Sequence, residues 1–315
     1  MTLKMTTQPK PSPEEVEILI LGAGWTSTFL IPLLKSKKIS HAATTTTGRD
    51  GTIKFRFSLP NSDELAESDH LASYKALPTA KTVLIVFPLK GSEETNYLVS
   101  SYLQTRPHTS SSSSTWQKIQ PAFIQLGSTG IWTIPDQPTW VTRHSPYNTS
   151  DARAQAEDAL LALGGCVLDL AGLWGGERNV RHWIDRVAAS KEGLGTKKSL
   201  HMVHGIDVAR GIVAVHERWE KAKRERFMLT DLMVYDWWAL ILGFAGELDV
   251  ENGTEERAEK QIKWIGELMQ EQDVRALPRD MKSLGRCYDT REFWNTFGIM
   301  PTRSRLSSVI IGGQY

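Results

Sequence analysis

Short, continuous apolar runs recur along the first part of the chain, without the alternation of apolar and polar residues that marks a half-exposed strand. A strand covered on both faces has this pattern, and such strands are typical of parallel sheets. Helical sequence separates the runs, and strands that alternate with helices predict a doubly wound α/β fold. The predicted strands are residues 18–21, 41–47, 82–87, 121–127 and 166–172.

The first run ends in a tight glycine turn that opens a helix. Gly22 allows the chain to turn sharply, and Gly24 lacks the Cβ that would hold a pyrophosphate away from the backbone. Ser27 occupies the third position of the G-x-G-x-x-G fingerprint and is small enough for close packing of the helix on the strand. Because the N-terminus of a helix attracts anions, the turn predicts a cofactor-phosphate site formed by Gly22, Ala23, Gly24, Trp25, Thr26 and Ser27.

Two later strand ends extend the predicted cofactor site. Thr47 and Arg49 lie at the end of the second strand, where an arginine suits the adenosine 2′-phosphate of NADP. The adjacent Asp50 suits the ribose of NAD instead, so both cofactors stay open, with NADP favoured. Phe87 and Pro88 end a later strand, and their backbone either lies along the cofactor or simply terminates the strand.

Composition shifts suggest how the chain is organised. Residues 1–13 are predicted to be a loose tail, and residues 14–178 a dinucleotide-binding Rossmann core. Residues 105–115 include a run of serines that cannot bury apolar area, which predicts a flexible insertion. Residues 179–315 are more irregular, mostly helical and rich in tryptophan, as expected for a smaller substrate region. Within them, residues 199–219 partly return to the core.

Charge and cysteine content narrow the function classes. The chain of 315 residues has 37 Lys and Arg against 36 Asp and Glu, so no strong field favours nucleic acid or an anionic membrane, and a small-molecule partner is expected. Its two cysteines are far apart in sequence, which predicts neither a disulfide framework nor a metal site. No signal peptide or membrane-spanning run is apparent, so we expect a soluble, cytoplasmic protein. The sequence does not indicate an oligomeric state.

Four separated segments, in order, carry a resemblance to a known family. They are residues 22–25, 126–132, 170–178 and 202–209. The chain resembles an extended or atypical short-chain dehydrogenase/reductase of the NAD-dependent epimerase/dehydratase-like type. The segments are similar to the family's glycine turn, its Ser-Ser/Thr-x-x-Tyr-Gly stretch, its Arg-x-x-x-Ile-Tyr-Gly-Pro-Gly stretch and its Ile-His-Val-x-Asp-Val-Ala segment. The resemblance implies a Rossmann fold with a dinucleotide cleft.

The residues expected to carry catalysis depart from the family pattern. The family's acid is a Tyr followed four residues later by a Lys, whereas Tyr147 is followed at that spacing by Asp151. Tyr147 is therefore either a proton donor without its usual partner or an aromatic residue that packs ahead of a helix. Ser128 and Thr129 lie at the end of the strand predicted at residues 121–127, where a hydroxyl either holds a substrate carbonyl or alcohol or serves only the turn.

Three further residues are candidates for binding a substrate. Trp174 and Arg178 follow the last predicted strand of the core, and the guanidinium suits an anionic group. His204 stands at a junction between a strand and a helix, for which Asp207 is the expected N-cap. The alternatives are a core tryptophan, a solvated arginine and a histidine that orients the junction.

Two functions follow from these expectations. The first is an NADP-dependent oxidoreductase or epimerase-like enzyme that acts on a small polar substrate. The second is a regulatory protein that senses the dinucleotide without turning it over, which the missing Tyr/Lys pair favours. A scaffold that has lost cofactor binding is a third option, against which the retained Gly22 and Gly24 argue.

Overall fold

The computed structural model describes residues 15–60, 71–106, 120–134, 138–245 and 255–304. The predicted tail lies outside these ranges, as does most of the predicted serine-rich insertion, from residue 107 onward.

The chain divides into two compact units, each formed from two stretches of sequence. The first unit comprises residues 1–126 and 152–167. The second unit comprises residues 127–151 and 168–315. The predicted boundary at residue 178 stays a prediction.

The strands are short, and most belong to one sheet. Their bounds are β1 (Glu15–Leu21), β2 (His41–Thr45), β3 (Ile53–Lys54), β4 (Thr79–Ile85), β5 (Ala122–Ser128), β6 (Trp140–Val141), β7 (Cys166–Leu170), β8 (Gly172–Trp174), β9 (Ser199–Leu200), β10 (Met202–His204), β11 (Arg226–Leu229), β12 (Tyr235–Asp236) and β13 (Cys287–Tyr288).

The helices alternate with the first strands and then dominate the later chain. Their bounds are α1 (Trp25–Ser36), α2 (Ala72–Lys75), α3 (Gly91–Gln104), α4 (Ala152–Ala162), α5 (Arg181–Val187), α6 (Lys191–Gly195), α7 (Gly205–Glu217), α8 (Trp237–Ala245), α9 (Glu255–Glu271), α10 (Met281–Leu284) and α11 (Arg291–Phe297). Single 3₁₀ turns occur at Thr129–Trp132 and Trp219–Lys221.

A seven-stranded sheet has the order β11-β7-β5-β4-β1-β2-β3. Strand β1 pairs in parallel with β2 on one side and with β4 on the other. The strand order therefore reverses at β1, and ligands of open α/β sheets bind at the carboxyl ends of the strands at such a switch point. Gly22 follows β1 directly and lies at this position. The predicted doubly wound α/β class is confirmed.

Apolar residues on β1 and its neighbours build the core of the first unit. Ile18 to Leu21 are completely buried, as a run without alternation predicts for a strand covered on both faces. Leu21 and Ile85 share one hydrophobic cluster with Leu98 of α3 and Leu160 of α4. Helices α3 and α4 also share a buried hydrogen bond, in which Thr95 Oγ1 donates to the Ala156 carbonyl at 3.0 Å.

The second unit has its own core, centred on the start of α8. Trp238 is completely buried and packs with apolar residues of α5, α6 and α9. Beside it, the guanidinium of Arg279 lies 3.8 Å from the indole centroid and donates to Asp236 Oδ1 at 2.7 Å. Because both charges are buried and paired, removal of either one would leave the other uncompensated.

Two local expectations need correction. The strand predicted at residues 82–87 spans Thr79–Ile85, so Phe87 lies beyond it. The N-cap of α7 is His204, whose Nδ1 accepts a hydrogen bond from the Ile206 N–H at 3.1 Å. Asp207 is instead a fully buried residue of the first turn, where it accepts hydrogen bonds from the Thr302 and Arg303 backbones.

Among the described helices, none combines the length and apolar character that a bilayer crossing requires.

Candidate functional site

The glycine turn after β1 is held from the neighbouring strand by Thr44. The Gly22 N–H donates to Thr44 Oγ1 at 3.0 Å, and the Ala23 N–H donates to the Thr44 carbonyl at 2.7 Å. Gly22 has a φ of +95°, and a Cβ built on it would lie 3.1 Å from Phe87 Cδ1. Both the backbone conformation and the space around it therefore require glycine at this position.

Gly24 is glycine for a different reason. It occupies the N-cap position of α1 with a φ of −105°, which any residue can adopt, and no side chain caps the helix there. A Cβ built on Gly24 meets no atom within 4 Å. Within the described chain, neither backbone strain nor crowding requires a glycine at this exposed position.

The first turn of α1 places polar groups just beneath Gly24. The first N–H groups of a helix have no acceptor within the helix, and no acidic residue lies in this turn to bind them. Thr26 and Ser27 are both buried, and Ser27 Oγ makes no hydrogen bond to any described residue. Trp25 packs its ring edge against Phe29, with the centroids 5.0 Å apart.

The loop after β2 presents a cation to solvent. Thr45 Oγ1 accepts hydrogen bonds from the Gly48 N–H at 2.9 Å and the Arg49 N–H at 3.2 Å, which fixes the loop. The Arg49 side chain is 68% exposed, and its Nε lies 3.9 Å from Asp50 Oδ2. The predicted Thr47 is also exposed. Arg49 is therefore only loosely paired and remains available to an anion.

Phe87 is the neighbour that crowds Gly22. Its ring stacks on Phe57, with the centroids 5.7 Å apart and the planes inclined by 21°. The adjacent Val86 N–H donates to the Leu21 carbonyl at 3.0 Å, so β1 and the segment after β4 stay in register up to the turn. Pro88 is exposed.

In the second unit, Ser128 and Thr129 lie where β5 gives way to a 3₁₀ turn. Ser128 Oγ caps this turn by accepting from the Gly130 N–H at 3.2 Å. A hydroxyl that accepts one hydrogen bond keeps its own proton for donation. The buried Thr129 hydroxyl points to the Leu170 carbonyl at 3.4 Å, and the Thr129 carbonyl accepts from the hydroxyl of Tyr288 at 2.8 Å.

Tyr147 is half-buried between an aromatic ring and a cation. Its ring lies edge-on to Trp132, with the centroids 6.0 Å apart, and the Arg226 guanidinium lies 4.5 Å from the Tyr147 centroid. Arg226 comes from β11 and is paired with the buried Asp169 of β7 at 3.3 Å. A cation therefore does lie beside Tyr147, although it does not come from the position four residues later.

Trp174 and His204 are neighbours through the pairing of β8 with β10. The two residues are in register, and their ring centroids lie 4.6 Å apart. The imidazole occupies the space that a Cβ on Gly175 would need. Arg178 is exposed and shares a tight turn with Gly175, whose N–H donates to the Arg178 carbonyl at 2.9 Å. Trp174 and Arg178 therefore flank one turn in the sequence, and His204 packs against the same turn from β10.

Comparisons with known proteins give the fold its family context. No family model and no curated protein matches the chain. Solved structures do match across nearly all of it. UDP-galactose 4-epimerase has a TM-score of 0.55 and 11% identity, and the match covers 92% of this chain and 95% of that one. MoeE5 in complex with UDP-glucose and NAD has a TM-score of 0.53 and 13% identity, with 90% and 93% covered.

A short-chain dehydrogenase/reductase superfamily protein from Agrobacterium tumefaciens with bound NAD also matches, with a TM-score of 0.53 and 12% identity. That match covers 90% of this chain and 92% of the other. The chain has the Rossmann-like α/β fold of these proteins. At these identities the similarity establishes the fold, while the roles of individual residues stay predictions.

Several residues of the candidate site were missed by the sequence analysis. Thr44 is one of four consecutive threonines, and only its register on β2 distinguishes it from the others. Arg226 and Tyr288 reach the Tyr147 and Thr129 region from distant parts of the chain. No local sequence motif predicts contacts between residues so far apart in the chain. In the described residues, no three His, Cys, Asp or Glu side chains are placed to hold a metal ion.

Burial of His204 predicts acid sensitivity of the folded state. The pKa of His204 is lowered from 6.5 to about 4, because burial outweighs the opposing charge of Asp207 and the charge of Arg303 adds to the lowering. Between pH 6.5 and about 4 the unfolded chain binds more protons at this site, so acid destabilises the fold by up to about 1.4 kcal/mol per pH unit. His204→Asn, which retains a capping acceptor, should reduce this slope in urea unfolding measured across that window.

The buried His201 contributes in the same direction, because burial lowers its pKa to about 3. The comparison of the native chain with the variant therefore isolates His204. His182→Asn, at an exposed histidine, is the control and should leave the slope unchanged. An unchanged slope in His204→Asn would show that the imidazole is not held neutral.

Proposed function

We infer that this chain binds a nicotinamide dinucleotide through the glycine turn of its first unit. Gly24 carries the argument, because nothing in the surrounding protein requires a glycine there and a Cβ would enter open space. A bound pyrophosphate supplies the missing reason, since it approaches the backbone at this position in a dinucleotide-binding turn. Gly22, by contrast, is explained by its own φ and by Phe87.

The groups around Gly24 suit an anion. The start of α1 bears the positive end of the helix dipole and has neither a capping side chain nor an acidic residue in its first turn. Ser27 is buried, and its small side chain allows the close packing of the helix on the strand that the turn needs. The residues present therefore fit the phosphates of such a cofactor.

The proposed cofactor is NADP rather than NAD. An exposed arginine follows β2, and its pairing with Asp50 at 3.9 Å is too loose to neutralise it firmly. An arginine forms charge-assisted hydrogen bonds to a phosphate. The fold neighbours with NAD in their titles, MoeE5 and the Agrobacterium tumefaciens protein, support a nicotinamide cofactor without favouring NADP.

The proposed activity is an oxidoreductase or epimerase-like reaction on a small polar substrate. When bound, the nicotinamide supplies hydride transfer. Ser128 is the residue best suited to position a carbonyl or alcohol, since its oxygen accepts from Gly130 and its proton remains available. Trp174, Arg178 and His204 are the proposed substrate contacts, and the guanidinium of Arg178 suits an anionic group.

A second candidate function is a dinucleotide sensor without turnover. The packing of Tyr147 favours it, because the ring is confined by Trp132 and Arg226, and the cation beside it is itself paired with Asp169. A ring held in this way serves packing as well as it serves proton transfer.

Substitution of Gly24 tests cofactor binding. Gly24→Val should weaken NADPH binding by at least about tenfold, because its branched side chain occupies the space of the pyrophosphate. The open surroundings of Gly24 should leave the fold intact. Calorimetric titration measures binding, and thermal unfolding checks the fold. Thr28→Val, an isosteric change at an exposed site of α1, is the control. No binding by the native chain, or equal binding by Gly24→Val, contradicts the proposal.

Substitution of Arg49 tests the choice of cofactor. Arg49→Ala should weaken NADPH by about 10- to 150-fold, the equivalent of a charge-assisted contact of roughly 1.5–3 kcal/mol. NADH offers no 2′-phosphate and should lose little affinity. Arg56→Ala, at another exposed arginine of the first unit, should change neither. Equal losses of both cofactors would remove Arg49 from the site.

Turnover distinguishes the enzyme from the sensor. If a panel of carbonyl compounds yields NADPH oxidation, Ser128→Ala should lower kcat by roughly 10²-fold, as loss of a group that positions the substrate does. Tyr147→Phe retains the ring contacts with Trp132 and Arg226 and should leave kcat within a factor of about three. A collapse of kcat in Tyr147→Phe would instead assign the proton to Tyr147. Tight NADPH binding with no turnover of any compound supports the sensor.

A further inference from the structure

A cleft of about 480 Å³ lies in the second unit, and none of the residues proposed above for substrate binding lines it. Its volume is in the range of ordinary small-molecule sites. The side chains of β6, of β13 and of the segments that follow β11 and β13 line it: Trp140, Leu232, Tyr288, Asp289, Thr290 and Arg291.

Trp140 gives the cleft an apolar wall. Its side chain is 52% exposed, although the next residue, Val141, is completely buried. Strand β6 is fixed by its parallel pairing with β13, where Trp140 is in register with Cys287. The indole is therefore displayed from a fixed backbone, and an aromatic face of this kind is large, rigid and apolar.

Leu232 adds a strained backbone to the same cleft. Its φ of +66° lies in the left-handed region, which is unfavourable for a bulky residue. The Leu232 N–H donates to Thr230 Oγ1 at 3.1 Å, and Thr230 Oγ1 shares a hydrogen bond of 2.8 Å with Thr290 Oγ1. The strain is thus maintained by hydrogen bonds to the cleft wall. Strained non-glycine residues cluster at ligand sites.

The polar wall of the cleft has charges but no net charge. Arg291 Nε donates to Asp289 Oδ1 at 2.9 Å, and an Arg291 terminal nitrogen donates to Asp289 Oδ2 at 2.6 Å. This hydrogen bonding lowers the pKa of Asp289 and keeps the carboxylate ionised. The pair holds donors and acceptors in one plane, while its neutrality removes the attraction that a phosphate or carboxylate ligand needs.

We propose that this cleft binds a neutral carbohydrate ring. The C–H face of a sugar stacks on Trp140, and adjacent hydroxyls exchange hydrogen bonds with the Asp289–Arg291 pair. Each hydroxyl both donates and accepts, so it suits a wall that offers a carboxylate and a guanidinium together. The proposal does not depend on dinucleotide binding by the first unit.

Saturation-transfer NMR with the native chain and a panel of glucose, galactose, maltose and cellobiose tests this site. The expected result is transfer to the ring C–H protons of at least one neutral sugar at millimolar concentration. Trp140→Ala should reduce that transfer by about tenfold, and Trp140→Phe should retain much of it, because the phenyl ring still offers a stacking face. Arg291→Gln should weaken it as well. Leu163→Ala, at an exposed apolar residue of the first unit, is the control.

Three results would overturn the proposal. They are the absence of transfer to every neutral sugar, undiminished transfer in Trp140→Ala, and a preference for glucose 6-phosphate or for phenol over the sugars. Calorimetry with NADPH on the same samples keeps the two proposals separate. Thermal unfolding checks that Trp140→Ala is folded, and loss of sugar binding with unchanged NADPH affinity then shows that the two ligands bind separately.

Discussion

The two hydrogen bonds that Thr44 accepts from the glycine turn are the constraint on which the candidate cofactor site depends. They draw the chain after β1 onto the end of β2, and they occupy the N–H groups of Gly22 and Ala23. The Gly24 N–H is also engaged, with the Gly22 carbonyl at 2.9 Å. The backbone N–H groups of the turn are therefore engaged in the hydrogen bonds that fix its conformation. Attraction for an anion must then come from the first turn of α1, whose start the folded turn directs outward.

The glycine turn fixes the backbone and the start of α1 attracts the anion, which explains why the two glycines are not equivalent. Gly22 is required by the protein, since its φ is positive and Phe87 fills the space next to it. Gly24 is required by nothing that the described chain contains. The sequence motif already gives the two glycines different roles, and the structure shows that contacts within the protein explain Gly22 but not Gly24. The part of the motif that supports cofactor binding is therefore Gly24, together with the uncapped start of α1.

The apolar runs predicted the sheet well, because a strand that is buried on both faces has a continuous run of apolar residues in its sequence. Ile18 to Leu21 are an example, and they are completely buried. The N-cap of α7 was harder to predict from the sequence. His204 and Asp207 both suit a helix start, and the difference depends on the segment at Thr302, which binds Asp207 from about a hundred positions away. The neighbours of Tyr147 were beyond local reasoning, because Arg226 arrives from β11.

The pair formed by Arg226 and Asp169 bears on whether this fold retains chemistry. A lysine one helical turn after the tyrosine brings a net positive charge to the phenol, whereas Arg226 is accompanied by a buried carboxylate 3.3 Å away. At longer range the two charges nearly cancel, so the guanidinium orients the ring by contact more than it changes the local potential. In an active enzyme Ser128 would then position the substrate, because its hydroxyl accepts from the Gly130 amide and keeps its own proton for a hydrogen bond, and water would supply the transferred proton. An arrangement that fixes the tyrosine but does not charge its surroundings is also what a binding protein without turnover would keep.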